Sequence, residues 1–258
     1  MELGGTDAFI VLDDADLEKT IPWAVWGRMY NGGQTCCASK RFTVAEEIAD
    51  KFLAKFKSAL ENLQPGDPMD EKTSQGPLST EPALLQLLTQ VDRAVAKGAK
   101  VIMGGKRLDR PGSYMQTTIL TDVRPENPAY RDEFFGPVAM FFRVKDEAAA
   151  IALANDSDFG LGGSVFTQDV ERGKRVVSKI ETGMMFINNL DWADATVPGC
   201  DTFLDSPTHN KETGRIAGVG ACKVSACTFN QDYECTAASV EVGFTGADLR
   251  CLTYRQAA

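Results

Sequence analysis

Two adjacent cysteines, Cys36 and Cys37, stand in the stretch NGGQTCCASKRF, behind a Gly-Gly turn and just ahead of Lys40 and Arg41. A thiolate is a soft nucleophile that adds to an electrophilic carbon and leaves again. A free thiol ionises at about pH 8.5, so only a few per cent is thiolate at pH 7 unless its surroundings favour the anion. Cysteine is also among the most buried residue types, so a lone Cys reads first as packing. Two carboxylates have distinctive neighbours as well: Glu2 in MELGG and Glu133 in EFFGPV. Taken alone, Glu2 reads as a solvated carboxylate at the start of the chain and Glu133 as a surface charge.

The elements that must position these groups are legible in the hydrophobic pattern. Helices are expected over Asp16–Tyr30, then with Ile48, Phe52, Phe56, Leu60 and Leu63 on one stripe, then with Leu84, Leu87, Leu88, Val91 and Val95 on one face. Two more are expected over Asp146–Asn155 and Val170–Ile180. Strands are expected at Arg41–Val44, in AKVIMGG after Gly98, at Pro137–Val144, at Gly163–Thr167 and at Gly183–Asn188. Strands alternating with helices imply βαβ units, so the fold class is α/β with a largely parallel sheet and flanking helices.

With 258 residues, 43% of them hydrophobic and 24% charged, the chain has an ordinary globular composition and can bury a large core. The net charge of −9 argues against nucleic acid or an anionic membrane as the main partner. No apolar run approaches the roughly 18 residues that span a bilayer. MELGGTDAFIVLDDADLEK has neither the basic start nor the long apolar run of a signal peptide. The seven cysteines are odd in number, and only Cys36 and Cys37 precede residue 199, which suits a reducing, cytoplasmic compartment better than a disulfide framework.

Five short motifs fall in order: Glu2-Leu3-Gly4-Gly5, Gly33-Gln34-Thr35-Cys36, Glu133-Phe134-Phe135-Gly136-Pro137-Val138, Phe159-Gly160-Leu161 and Phe186-Ile187-Asn188-Asn189. Together they resemble the aldehyde dehydrogenase superfamily over about three-quarters of the chain, starting at that family's catalytic-base motif. MELGG, NDSDFGL and INNLDWADA are closest in style to succinate-semialdehyde dehydrogenases. The resemblance implies NAD- or NADP-dependent oxidation of a small aldehyde to an acid through a cysteine thioester. It assigns Cys36 as nucleophile, Glu2 as the base that activates the hydrolytic water, and Glu133 with Phe135 as ligands of the nicotinamide ribose. A carboxylate suits vicinal hydroxyls because it accepts two hydrogen bonds at fixed spacing. Cys37 reads as packing, and Asn31 and Asn188 lie near the site in such folds without an assigned role.

The family's Rossmann domain would lie upstream and is missing here, with its pyrophosphate-binding turn, its adenosine-ribose lysine and its oxyanion asparagine. A mitochondrial origin stays open for the same reason. After Pro198 the expected Phe-Gly-Gly, glycine-rich turn and oligomerisation strand do not appear. Residues 1–198 therefore read as the catalytic domain, and 199–258 as a divergent tail of uncertain fold, for which a frameshift, retained intron or gene-model error is expected ahead of the alternative, a genuine lineage-specific tail. Homo-oligomers are the family habit and are doubtful for this chain. The tail's Cys200, His209, Cys222, Cys227 and Cys235 contain no Cys-x₂-Cys pair, so no zinc site or other metal site is expected. Its Gly214, Gly218 and Gly220 do not form a phosphate loop, and Cys36 with His209 is not a hydrolase signature. The competing reading is a truncated, non-enzymatic chain that only binds full-length subunits.

Overall fold

A computed structural model describes residues 4–190 and, beyond them, 227–231, 234–237, 242–245, 248–251 and 253–256. The chain divides into two units, Met1–Leu190 and Asp191–Ala258. The division falls at Leu190, where the sequence reading places it at Pro198.

The first unit is built on a seven-stranded sheet. Its strands are β1 (Asp7–Val11), β2 (Ser39–Ala45), β3 (Lys100–Met103), β4 (Thr118–Thr121), β5 (Val138–Val144), β6 (Gly162–Phe166) and β7 (Met184–Ile187). They run in the order β3-β4-β5-β2-β1-β6-β7. Only the β3–β4 pair is antiparallel. The helices are α1 (Leu17–Met29), α2 (Glu46–Glu61), α3 (Glu81–Ala96), α4 (Glu147–Asn155) and α5 (Val170–Val177).

Two strands escape the sequence reading. β1 is the run DAFIV, buried throughout, an interior strand between β2 and β6. A strand covered on both faces shows no alternation of apolar and polar residues, so periodicity does not reveal it. β4, TILT, is four residues long and too short to show a pattern. The expected stripe on α3 also needs correcting. Leu84, Leu87 and Val91 are buried, but Val95 is exposed and Ala94 turns inward in its place.

The two faces of β1 separate the core. Phe9 and Val11 join a cluster with Phe42, Phe52, Phe56 and Phe166. Within it Phe9 stacks on Phe166 at 4.4 Å between ring centroids, and Phe42 lies 4.7 Å from Phe56. Ala8, Ile10 and Leu12 pack on the other face with Ala150, Val165 and Val176 from α4, β6 and α5. The third cluster seats α3 on β4 and β5 through Leu84, Leu87, Leu120, Val138 and Met140.

Side chains cap several helix starts. Asp16 accepts from the backbone N–H of Glu18 and Lys19, Thr80 from Ala83, and Asp146 from Ala149 at 2.8 Å. Asp146→Ala removes one such acceptor at an exposed helix end. A loss of about 1 kcal/mol is expected from urea titration, with the fold unchanged.

In the second unit the described residues form two antiparallel pairs, β8 (Asn230–Gln231) with β9 (Glu234–Cys235) and β10 (Val242–Thr245) with β11 (Asp248–Cys251). A bridge also joins Cys227 to Gln256. Short strands therefore stand where the sequence reading places no element. Cys200, His209, Cys222 and the glycines Gly214, Gly218 and Gly220 lie outside the described residues.

Candidate active site

Four of the five motifs singled out in the sequence precede strands, and the fifth, Phe186-Ile187-Asn188-Asn189, begins within β7 and runs past its end. Gly4-Gly5 leads into β1, the Cys36 turn into β2, Glu133–Pro137 into β5 and Phe159–Leu161 into β6. Because β5, β2, β1 and β6 are consecutive neighbours, these four segments meet at the amino end of the sheet.

The turn holding Cys36 is shaped by glycine and by buried cations. Asn31, Gly32 and Gly33 all have positive φ, at 51°, 64° and 78°. A Cβ on Gly33 would strike the carbonyl of Gly136 and come 2.6 Å from Arg28 Nη2. Gln34 ties the turn to the next loop, donating to the carbonyls of Asn31 and Pro77 and accepting from the N–H of Ser79 at 2.8 Å. Arg28, wholly buried, donates to the carbonyls of Gly33 and Ser39 at 2.6 and 3.1 Å. Lys40, also wholly buried, donates to the carbonyls of Thr35, Cys36 and Ala38 at 2.9, 3.0 and 3.3 Å. Cys36 and Cys37 are both reduced and half-buried.

Glu133 faces this turn. Its Oε1 accepts from the N–H of Gly5 at 3.0 Å and pairs with Lys40 Nζ at 3.2 Å. The adjacent phenylalanines split: Phe134 is fully buried in the α3 cluster, while Phe135 is 39% exposed. Gly4 is required by the crowding here, since a Cβ on it would sit 2.7 Å from Glu133 Oε2 and 2.8 Å from Phe159 Cε1. A Cβ on Gly5 would collide with the Cys36 carbonyl. The structure thus brings together the Gly4-Gly5 segment, the Cys36 turn, Glu133 and Phe159. Glu2 lies outside the described residues. Asn188 is engaged elsewhere, bridging the backbone of Thr167 through its amide nitrogen and oxygen at 2.8 and 2.9 Å.

Sequence reasoning gave no role to Lys40, Arg28 or Asp7, yet these three form a buried charge cluster with Glu133. Burial pushes the Lys40 ammonium down, and the nearby Arg28 adds to the effect while Glu133 and Asp7 oppose it. Burial pushes the Asp7 carboxyl up, against the pull of Lys40 and a hydrogen bond from the N–H of Gly162. Burial likewise lowers Arg28, to about 9. Two clefts, of about 530 and 600 Å³, open beside α1. Neither of these two is lined by Cys36 or Glu133, and the site is located by the meeting of the loops.

Residues 1–200 match the sequence profile of the Aldehyde dehydrogenase family. The chain belongs to that family. Among curated aldehyde dehydrogenases it is 47% identical over 198 residues to an NADP(+) succinate-semialdehyde dehydrogenase of Deinococcus radiodurans, covering 77% of this chain and 42% of that protein. A probable NADP(+) succinate-semialdehyde dehydrogenase of Synechocystis is 46% identical, covering 77% and 44%. Among solved aldehyde dehydrogenases, the succinic semialdehyde dehydrogenase of Streptococcus pyogenes in complex with NADP+ superposes with a TM-score of 0.72 at 42% identity, over 75% of this chain and 42% of that one. The chain therefore spans about two-fifths of the length of the aldehyde dehydrogenases it matches. Residues 221–256 match a second family, Domain of Unknown Function (DUF1540). No helix among the described residues is long and apolar enough to cross a membrane.

Proposed function

We propose that residues 1–198 carry the acyl-forming half of an NAD(P)-dependent aldehyde dehydrogenase site, with a semialdehyde of the succinate semialdehyde class as substrate. The observation that carries this reading is the convergence of the Cys36 turn, the Gly4-Gly5 segment and Glu133 at the amino end of the sheet. The names of the curated relatives favour NADP over NAD and the dicarboxylic semialdehyde over other aldehydes.

Cys36 Sγ, as thiolate, bonds to the aldehyde carbon while the carbonyl π pair moves onto oxygen, giving the alkoxide of a thiohemiacetal. Loss of hydride from that carbon leaves a thioester on Cys36. Glu2 takes a proton from water as the water oxygen bonds to the acyl carbon, and the thiolate departs. NAD(P)+, when bound, supplies the hydride acceptor. The chain's fit to that cofactor is partial but consistent. Glu133 uses one oxygen for Gly5 and Lys40, and a carboxylate retains further lone pairs for ribose hydroxyls. Phe135, two residues further along the same loop, is among the exposed large hydrophobic residues. These are the two residues assigned to hold the nicotinamide ribose.

Acyl transfer needs only the thiolate and a water-activating base, whereas hydride loss needs an acceptor held in register. The full chain is expected to hydrolyse p-nitrophenyl acetate slowly and to produce no measurable NADPH from succinate semialdehyde and NADP+. Absorbance at the nitrophenolate and NADPH bands reads both. Strong NADPH production would overturn this division, because it would show the cofactor held by this chain alone.

A second reading concerns the C-terminal segment. The match over residues 221–256 favours a separate small module there, since an out-of-frame segment has no physical reason to fit a family pattern.

A further inference from the structure

Lys40 is one of three buried charges, with Arg28 and Asp7, that the proposed chemistry leaves unused. Its side chain has no exposed surface, and its ammonium meets four oxygens: the carbonyls of Thr35, Cys36 and Ala38, and Glu133 Oε1. Three N–H donors serve four acceptors, so the ammonium is fully engaged. A buried ion pair is weak evidence for stability, because desolvation offsets much of its attraction. What this cation does supply is geometry. In a trans peptide the C=O and N–H point in opposite directions, so a Thr35 carbonyl aimed at Nζ turns the N–H of Cys36 away from it.

We propose that Lys40 is a positioning residue that binds the Cys36 turn and the Glu133 carboxylate to one ammonium, so that the thiol and the ribose ligand keep a fixed relation. This rests on the roles given above to Cys36 and Glu133. The charged groups facing Lys40 are Glu133 from the loop before β5, Asp7 at the start of β1 and Arg28 on α1. Lys40 and Glu133 therefore act on the thiol with opposite sign. The ammonium favours the Cys36 thiolate, and the carboxylate moderates that field.

The test is the rate of iodoacetamide alkylation at Cys36, with Cys37 as internal reference, by peptide mapping of the full chain between pH 6 and 9. In the unsubstituted chain Cys36 is expected to label faster than Cys37. Lys40→Gln should slow Cys36 about three- to tenfold at pH 7 and move its pH midpoint up. Glu133→Gln keeps the acceptor for Gly5 but removes the counter-charge, and should move the midpoint down. A purely structural role would loosen the turn in both variants and shift both the same way. Circular dichroism reports whether each variant is folded. If Lys40→Gln fails to fold, Lys40→Met takes its place in the same assay, with the same slowing and upward midpoint expected and unchanged Cys36 rates overturning the proposal. Unchanged Cys36 rates in the folded variants, or parallel slowing, would overturn the proposal. Equal labelling of Cys36 and Cys37 in the unsubstituted chain would overturn the nucleophile assignment itself, and this proposal with it.

Discussion

Cys36→Ser is expected to abolish the hydrolysis of p-nitrophenyl acetate by the full chain, while Cys37→Ser leaves most of it. A serine hydroxyl in the same turn is not ionised at neutral pH, whereas a thiol reaches its anion through its own acidity. The substitution removes one sulfur from a half-buried position and leaves the two cation clamps in place, so the turn keeps its shape. Loss of the signal in both single variants alike would point to general disruption. Persistence in Cys36→Ser would assign the activity to some other group. Mass spectrometry after a short reaction adds a second reading: the acetyl group should be found on the peptide containing Cys36.

Gly33→Ala should be the most damaging single substitution in the turn. Gly33 has φ of 78°, where an L side chain is strained, and its Cβ would run into the Gly136 carbonyl and Arg28. Backbone strain and overpacking together are expected to cost about 2–4 kcal/mol. Relief could come only by moving the loop before β5 or the Arg28 clamp, and both hold the Cys36 turn. The selective labelling of Cys36 should therefore fall with stability. Gly98→Ala is the matched control. Its φ is 101°, but nothing lies within 4 Å of the new Cβ. It should lose about 1 kcal/mol and leave Cys36 labelling unchanged. Equal losses in the two variants, by denaturant titration, would refute the packing argument.

Five helices and five of the seven strands, the interior β2, β5 and β6 among them, were legible in the apolar pattern and its punctuation. α2 is the clearest case, with Phe52, Phe56 and Leu60 buried at steps of four. β1 was not legible, because a strand sandwiched on both sides carries no alternation and its five residues adjoin an acidic stretch. At the site, the motif residues announced themselves by spacing. Their meeting did not, since Gly5 and Glu133 are 128 positions apart and only the strand order brings them together. Lys40 was visible as a charge after the cysteines. That it points inward, with Arg28 and Asp7, depends on which face of β2 and α1 is covered, and nothing local encodes that. A lysine at the start of a strand ordinarily reads as solvated.

The interior place of β1 has a consequence for how the chain acquires its fold. β1 pairs with β2 about thirty residues later but with β6 only 155 positions on, Ala8 opposite Gly163. At about 5–20 residues per second, synthesis leaves that second edge without its partner for about 8–30 s. For that interval a buried strand of the mature protein is a bare edge, able to pair with any exposed strand nearby. The same delay applies to the site, whose parts lie on both sides of the gap. A nascent chain halted before Glu133 carries the thiol without the carboxylate that faces it, so the reactive turn is completed late in translation.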